Sequence, residues 1–213
     1  MNRAFIFDLD GTLVESLPGI AASLNRSLDL HGLPGHNYAA VRGFIGDGAK
    51  KLVERALAPG EASLHGESVL RSFASDYGVS WPNGTHVYPG IPELLAGLKS
   101  AGIPLAVLSN KPHAFTVEIV EKLFPKGTFA AILGNREGLP HKPDPTGALE
   151  IATTLSVSPE DCVLIGDSTM DLDTAKNAGM ESVAVTWGYH DRERLSTADR
   201  IADSVGELAT LLA

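Results

Sequence analysis

Cysteine is almost absent from this chain: Cys162 is the only one in 213 residues. A single thiol closes no internal disulfide, and its setting, Asp-Cys-Val-Leu-Ile, reads as a small buried hydrophobe rather than a nucleophile. No apolar run approaches the length of a membrane span. Basic residues are in deficit, 17 Lys and Arg against 26 Asp and Glu, for a formal charge of -9. That balance argues against a duplex nucleic-acid partner, which draws on a basic patch. It does not weigh against a small anionic substrate, because local charges and a metal dominate a pocket. There is no internal repeat and no low-complexity segment. The first strand pattern begins at Ala4, which leaves no room for a signal peptide. The expectation is a soluble, cytoplasmic protein, monomeric or homodimeric, with neither nucleic acid nor membrane as partner. A hydrophobic content of 44% suffices for one sizeable core with a smaller appendage.

Short apolar runs at Ala4–Phe7, Pro104–Leu108, Ala130–Leu133, Cys162–Ile165 and Ser182–Thr186 read as strands. Their hydrophobicity is continuous rather than alternating, the mark of strands buried on both faces, hence of an α/β fold with a parallel sheet under helices. Helical patterns separate them at Ile91–Ala101, His113–Phe124, Pro145–Leu155 and Asp171–Ala178, and a last one falls at Val205–Leu212. Gly102 and Gly179 stand where helices end, and Pro145 suits a first helical turn. Residues 15–86 break this rhythm. They read as helical at Leu17–Leu30, Asn37–Ile45, Gly48–Leu57 and Gly66–Tyr77, with no comparable strand. The chain therefore divides into an α/β core, residues 1–14 and 87–213, and a helical insertion, residues 15–86.

The chemistry gathers at strand ends. Ala4–Phe7 runs into Asp8-Leu9-Asp10-Gly11-Thr12, two carboxylates and then a glycine where the chain turns. A calcium loop starting at Asp8 fails, since Gly19 stands where the late glutamate belongs. One acid of the pair can attack or bind a metal, and the other can move protons. The second strand ends in Leu108-Ser109-Asn110-Lys111, where the Ser109 hydroxyl can hold a phosphoryl oxygen or cap a turn. His141-Lys142-Pro143-Asp144-Pro145 pins a lysine between turn residues. Leu164-Ile165-Gly166-Asp167-Ser168 ends another strand in a carboxylate, and Asp171 opens the next helix, where it can stabilise the amino end. In a parallel sheet these ends share one edge. Acids clustered there repel one another unless a cation intervenes, and hard oxygen ligands in small number suit Mg²⁺.

Taken in order, these segments resemble the haloacid dehalogenase superfamily of phosphotransferases over nearly the whole chain. Asp8 to Thr12 matches its first motif, Ser109 its second, Lys142 its third, and Gly166-Asp167-Ser168 with Asp171 its fourth. With Val41-Arg42-Gly43-Phe44-Ile45-Gly46-Asp47-Gly48, the pattern is most similar to the phosphoglycolate phosphatase branch. The resemblance implies a Rossmann-like core with a helical cap inserted after the first strand. It also implies a Mg²⁺-dependent phosphatase acting on a small phosphorylated metabolite, 2-phosphoglycolate first. A β-phosphoglucomutase-like mutase and an inorganic pyrophosphatase are the alternatives. Asp8 would be the nucleophile and Asp10 the acid and base. Asp8, Asp167 and the Asp10 main-chain carbonyl would hold Mg²⁺. Ser109, the Asn110 amide and Lys142 would hold the transferring oxygens. Asp171 would orient Lys142 or a metal-bound water. Asp10 argues against carbon–halogen cleavage, because dehalogenases of the superfamily generally lack that acid. In the cap, Arg42 is the candidate for a substrate carboxylate, with a solvated helix arginine as the alternative.

Overall fold

The computed structural model describes residues 3–213. The chain forms two compact units, one from Met1–Val14 with Val87–Ala213, the other from Glu15–His86.

The first unit is an α/β sandwich. In chain order its strands are β1 (Ala4–Phe7), β4 (Leu105–Pro112), β5 (Ala131–Asn135), β6 (Cys162–Gly166), β7 (Glu181–Val185) and β8 (Arg200–Ala202). They make one sheet in the order β5-β4-β1-β6-β7-β8, with every pairing parallel. Two further short strands, β2 (Val14–Glu15) and β3 (His86–Val87), pair with each other where the chain passes between units. From β1 the chain winds outward through β4 to β5, then returns to the other side of β1 for β6. The strand order thus reverses about β1, and the crevice outside the carboxyl ends at such a point is where open α/β sheets bind ligands.

The continuous apolar runs follow from this position. All four residues of β1 are fully buried, because helices cover both faces. Side chains alternate between faces. Ala4 and Ile6 join Ala106, Leu108, Cys162 and Leu164 against Ala148, Ile151 and Ala152 of α7 (Thr146–Leu155) and Ala175 and Ala178 of α8 (Thr169–Ala178). On β6, burial with Asp161 nearby pushes the Cys162 thiol up to about 11, which makes it inert. Helices α5 (Ile91–Ser100) and α6 (His113–Leu123) pack on β4, and α9 (Val205–Leu212) packs on β8.

Several expectations shift. β4 does not stop at Leu108. It continues to Pro112, with its pairing to β5 slipping between Leu108 and Pro112, so the polar Ser109-Asn110-Lys111 belongs to the strand. α8 starts two residues before Asp171, at Thr169, and Pro145 precedes α7 rather than entering it. β8 has no counterpart in the sequence reading: three residues between Asp199 and Asp203 carry too little pattern.

The second unit is helical: α1 (Leu17–Leu30), α2 (Tyr38–Arg42), α3 (Gly48–Ala56) and α4 (Glu61–Ser80). Val69, Phe73 and Tyr77 of α4 fall four apart on one face and are buried, and the Phe73 and Tyr77 rings stack with centroids 5.4 Å apart. Leu17, Ile20, Ala21, Leu24 and Leu28 make the matching stripe on α1, which packs on α4. Trp81, immediately after α4, closes the core at 1% exposure. α4 is longer than its periodicity suggested. It starts behind Gly60, a left-handed residue (φ +90°), and Glu61 accepts a bond from the Ala58 amide to brace the first turn.

Candidate active site

Strand register assembles the site. Phe7 pairs with Val107 on one side and Ile165 on the other, so the next residue, Asp8, lies level with Leu108 and Gly166. Neighbouring strands run about 4.8 Å apart. Asp8 therefore stands between β4 and the end of β6, and its amide donates to the Ile165 carbonyl at 2.8 Å.

Lys142 enters from the loop before α7, and its peptide bond to Pro143 is cis. Its backbone is fixed by Asn110: the Lys142 amide donates to Asn110 Oδ1 at 2.8 Å, and Asn110 Nδ2 donates to the Lys142 carbonyl at 3.2 Å. The Lys142 ammonium lies 2.8 Å from Asp8 Oδ1 and 2.5 Å from Asp171 Oδ1, and donates to the Leu108 carbonyl at 3.3 Å. Burial pulls on this ammonium, but Asp171 and Asp8 outweigh it and hold Lys142 firmly charged.

Asp171 has both oxygens committed. Oδ1 takes Lys142, and Oδ2 accepts from the Ser168 amide at 3.1 Å and the Ser168 hydroxyl at 2.6 Å. The Ser-x-x-Asp pattern at the start of α8 thus works as a capping box and as the seat for Lys142. Asp167 is held otherwise: Oδ1 accepts from the Thr12 hydroxyl at 3.1 Å, and Oδ2 from the Tyr189 amide at 2.6 Å. Two glycines make room for it. A Cβ on Gly188 would come within 2.3 Å of the Asp167 side chain. One on Gly11, already left-handed at φ +85°, would come within 2.4 Å of its Oδ2.

Oxygens of Asp8, Asp167 and Asp171 lie within 4.8 Å of one another. Burial, then the other acids, raises both Asp8 and Asp167: Asp8 reaches about 7 despite Lys142, and Asp167 sits well above the ordinary carboxylate range. Carboxylates this buried are costly as anions. Asp8, Asp10, Asp167 and Asp171 outnumber the ammonium groups of Lys142 and Lys111, and a divalent cation there would favour the ionised forms of Asp8 and Asp167 that burial opposes. The donor set fits such an ion: hard carboxylate oxygens in small number, gathered close to one another.

Of the residues singled out in the sequence, Asp8, Asp10, Ser109, Asn110, Lys142, Asp167 and Asp171 all fall on this sheet edge or the loops beside it. Ser109 is buried on β4, and its hydroxyl accepts from the Lys111 amide at 3.2 Å. Arg42 lies in the other unit, half-buried at the end of α2.

Several residues at the edge carry no sequence signal of their own. Lys111, next to Asn110, binds Asp10 with Nζ 3.0 Å from Oδ1 and 2.9 Å from Oδ2. Trp187 to His190 form a wall: Trp187 Nε1 donates to the Thr12 carbonyl at 3.2 Å, Tyr189 holds Asp167, and His190 Nδ1 accepts from the Thr169 amide at 3.2 Å. Only the run Trp187-Gly188-Tyr189 after a strand, small among bulky, hints at a close approach.

Comparison with known proteins gives the family. The haloacid dehalogenase-like hydrolase family matches residues 5–185. The phosphoglycolate phosphatase of Mesorhizobium japonicum is 37% identical over 196 residues, covering 90% of this chain and 86% of that protein. A crystal structure of a predicted phosphoglycolate phosphatase from Haemophilus somnus superposes with a TM-score of 0.92 at 30% identity, covering 99% of this chain and 98% of that one. CbbY from Rhodobacter sphaeroides in complex with phosphate gives a TM-score of 0.82 at 27% identity, over 98% of this chain and 96% of that one.

Proposed function

The chain belongs to the haloacid dehalogenase-like hydrolase family and is a phosphatase, and from that premise we propose that it hydrolyses 2-phosphoglycolate through a phosphorylated Asp8. The observation that carries this reading is the buried Lys142 ammonium, 2.8 Å from Asp8 at the point where the strand order reverses. It offers a cation to the transferring oxygens beside a carboxylate that can attack phosphorus.

In the first half-reaction Asp8 forms a bond to phosphorus, the bond to the leaving oxygen breaks, and Asp10 delivers a proton to that oxygen. In the second, water attacks phosphorus while Asp10 takes its proton. The bond from phosphorus to Asp8 breaks, its electrons return to the carboxylate, and inorganic phosphate leaves. Ser109, the Asn110 amide and Lys142 hold the transferring oxygens, where charge must be stabilised. Asp171 keeps Lys142 aimed at Asp8. Asp8, Asp167 and the Asp10 main-chain carbonyl would hold Mg²⁺, which when bound offsets the repulsion between Asp8 and a dianionic substrate. Asp167 is kept in place for that task by Thr12 and Tyr189.

Residues 15–86 act as the cap that chooses the substrate, with Arg42 reaching its carboxylate, since a guanidinium matches that group with two parallel bonds. The enzyme works in the cytoplasm as a monomer or homodimer. The phosphoglycolate phosphatase relatives support the substrate, and the phosphate bound by CbbY supports the phosphoryl site.

The test is a panel of phosphorylated metabolites assayed with Mg²⁺ for inorganic phosphate. We expect the highest kcat/KM for 2-phosphoglycolate. Preference for pyrophosphate, or conversion of a hexose phosphate without phosphate release, would replace this reading with a pyrophosphatase or a mutase.

A further inference from the structure

Each of the two acids at the end of β1 has its own lysine. Lys142 serves Asp8 and is shared with Asp171, whereas Lys111 closes on both oxygens of Asp10, at 3.0 and 2.9 Å. The second pair is mostly out of water, with side-chain exposures of 6% for Lys111 and 14% for Asp10. Taking an ammonium out of water carries a desolvation cost that a surface pair avoids. Lys111 is also well anchored. It lies in the part of β4 where pairing to β5 slips, its amide donates to Ser109 Oγ at 3.2 Å, and its carbonyl accepts from Thr116 Oγ1 at 3.2 Å. Asp10 sits past the end of β1, bridged to Val14 and immediately before the left-handed Gly11. An aspartate has few staggered rotamers, and the grip of Lys111 on both carboxylate oxygens selects one of them.

We infer that Lys111 is the positioning residue for Asp10, a rigid strand-borne clamp that fixes the carboxylate where it must meet the leaving oxygen and, later, the attacking water. The inference rests on the proposed acid and base role of Asp10. The step it bears on most directly is the second half-reaction: Asp10 takes the water proton, the water oxygen bonds to phosphorus, and the electrons of the phosphorus–Asp8 bond return to Asp8. Without the clamp Asp10 spends less time in line with the water, and that step slows. A lysine that only held phosphate oxygens, or only supported the fold, would affect the first half-reaction equally.

The experiment is rapid-quench kinetics of the full chain with Mg²⁺ and 2,4-dinitrophenyl phosphate, whose leaving group needs no proton. In Lys111→Met the burst of dinitrophenolate should keep an amplitude near one per active site and a rate within about 3-fold of the parent, while turnover after the burst drops by about 10-fold or more as phosphoenzyme accumulates. Lys111→Gln should behave alike. Equal losses in burst and turnover, or no loss in either, overturn the inference. Failure of both variants to fold, seen by circular dichroism, also overturns it, because it makes Lys111 a structural residue. Asp10→Asn separates the underlying reading: it should show the same burst and stall. Parent-like turnover there removes the role of Asp10 itself, whereas a stall in Asp10→Asn without one in Lys111→Met removes only the clamp.

Discussion

In the helical unit, Arg26 lies 2.5 Å from Asp76 with half of its side chain in water. In the α/β unit, Lys142 lies the same distance from Asp171 with 4% of its side chain exposed. The two contacts look alike on paper and differ in consequence. Water screens the first, so it fastens α1 to α4 by a fraction of a kcal/mol, as Arg71–Glu67 and Lys51–Glu54 fasten turns of their own helices. Burial leaves the second nearly unscreened. Removing either partner strands a charge in a poor solvent, and the same lack of water lets the lysine stabilise charge that develops beside it. Where a pair is placed decides whether it acts as trim or as machinery.

The sharpest way to break this contrast is at the nucleophile. Asp8→Asn keeps the shape and deletes the attacking oxygen, so turnover should fall at least about 1,000-fold with the fold intact. Turnover within about 10-fold of the parent, measured as inorganic phosphate, would place the attack elsewhere. Lys142→Met should cost about 3–5 kcal/mol of unfolding free energy in urea, because it abandons Asp8 and Asp171 without a counter-charge. A loss under about 1 kcal/mol would mean that the pair is as wet as those of the helical unit.

Stability against pH separates the two regions by sign. Asp8, raised to about 7, and Asp167, raised as well, bind protons more tightly folded than unfolded. The contribution of Asp8 is full below the ordinary carboxylate value and is lost as pH rises through about 7, and that of Asp167 has the same sign. In chelator the melting temperature should therefore carry a falling component between about pH 4 and 7, which Asp8→Asn diminishes and Mg²⁺ offsets increasingly as pH rises. A profile unchanged by Asp8→Asn would contradict the raised Asp8. Asp76 runs the other way. Its bonds from Arg26 hold it down at about 2, so its contribution is present above the ordinary value and fades as pH falls from about 4 toward 2.

Arg42→Ala should raise KM for 2-phosphoglycolate by about 10-fold while leaving turnover of p-nitrophenyl phosphate near the parent's, since only the first substrate carries a carboxylate. Equal changes for both substrates would remove the carboxylate contact from Arg42. The smallest effect is expected at Arg26 and Asp76, where a double-mutant cycle with Arg26→Ala and Asp76→Ala should give a coupling of about 1 kcal/mol or less. A value near that of a buried pair would erase the comparison.

Much of this was written in local sequence. The apolar run before Asp8 and the Gly166-Asp167 strand end follow from short continuous hydrophobic runs closed by a carboxylate, and the helical stripe of α1 from a period of 3.6, each of which a segment reports by itself. β8 was invisible because three residues, Arg200–Ala202, hold too little of a period, and an edge strand flanked by acids reads as loop. The end of β4 misled for a related reason. Ser109-Asn110-Lys111 is polar, so a hydrophobic pattern stops at Leu108, although backbone pairing continues to Pro112. The Asn110 side chain, Lys111, Tyr189 and His190 had little local mark, since each is defined by a partner 21 or more residues away.

The sequence by itself determined which groups were available and which ends of which strands would carry them. Alternation and helical spacing are short-range consequences of backbone geometry, and a carboxylate after a buried strand has few places to go. Only the tertiary structure decided which lysine took which acid. That choice depends on the sheet register on either side of β1, which aligns residues more than a hundred positions apart to within hydrogen-bonding reach, and on burial, which turns those alignments from weak surface contacts into strong ones.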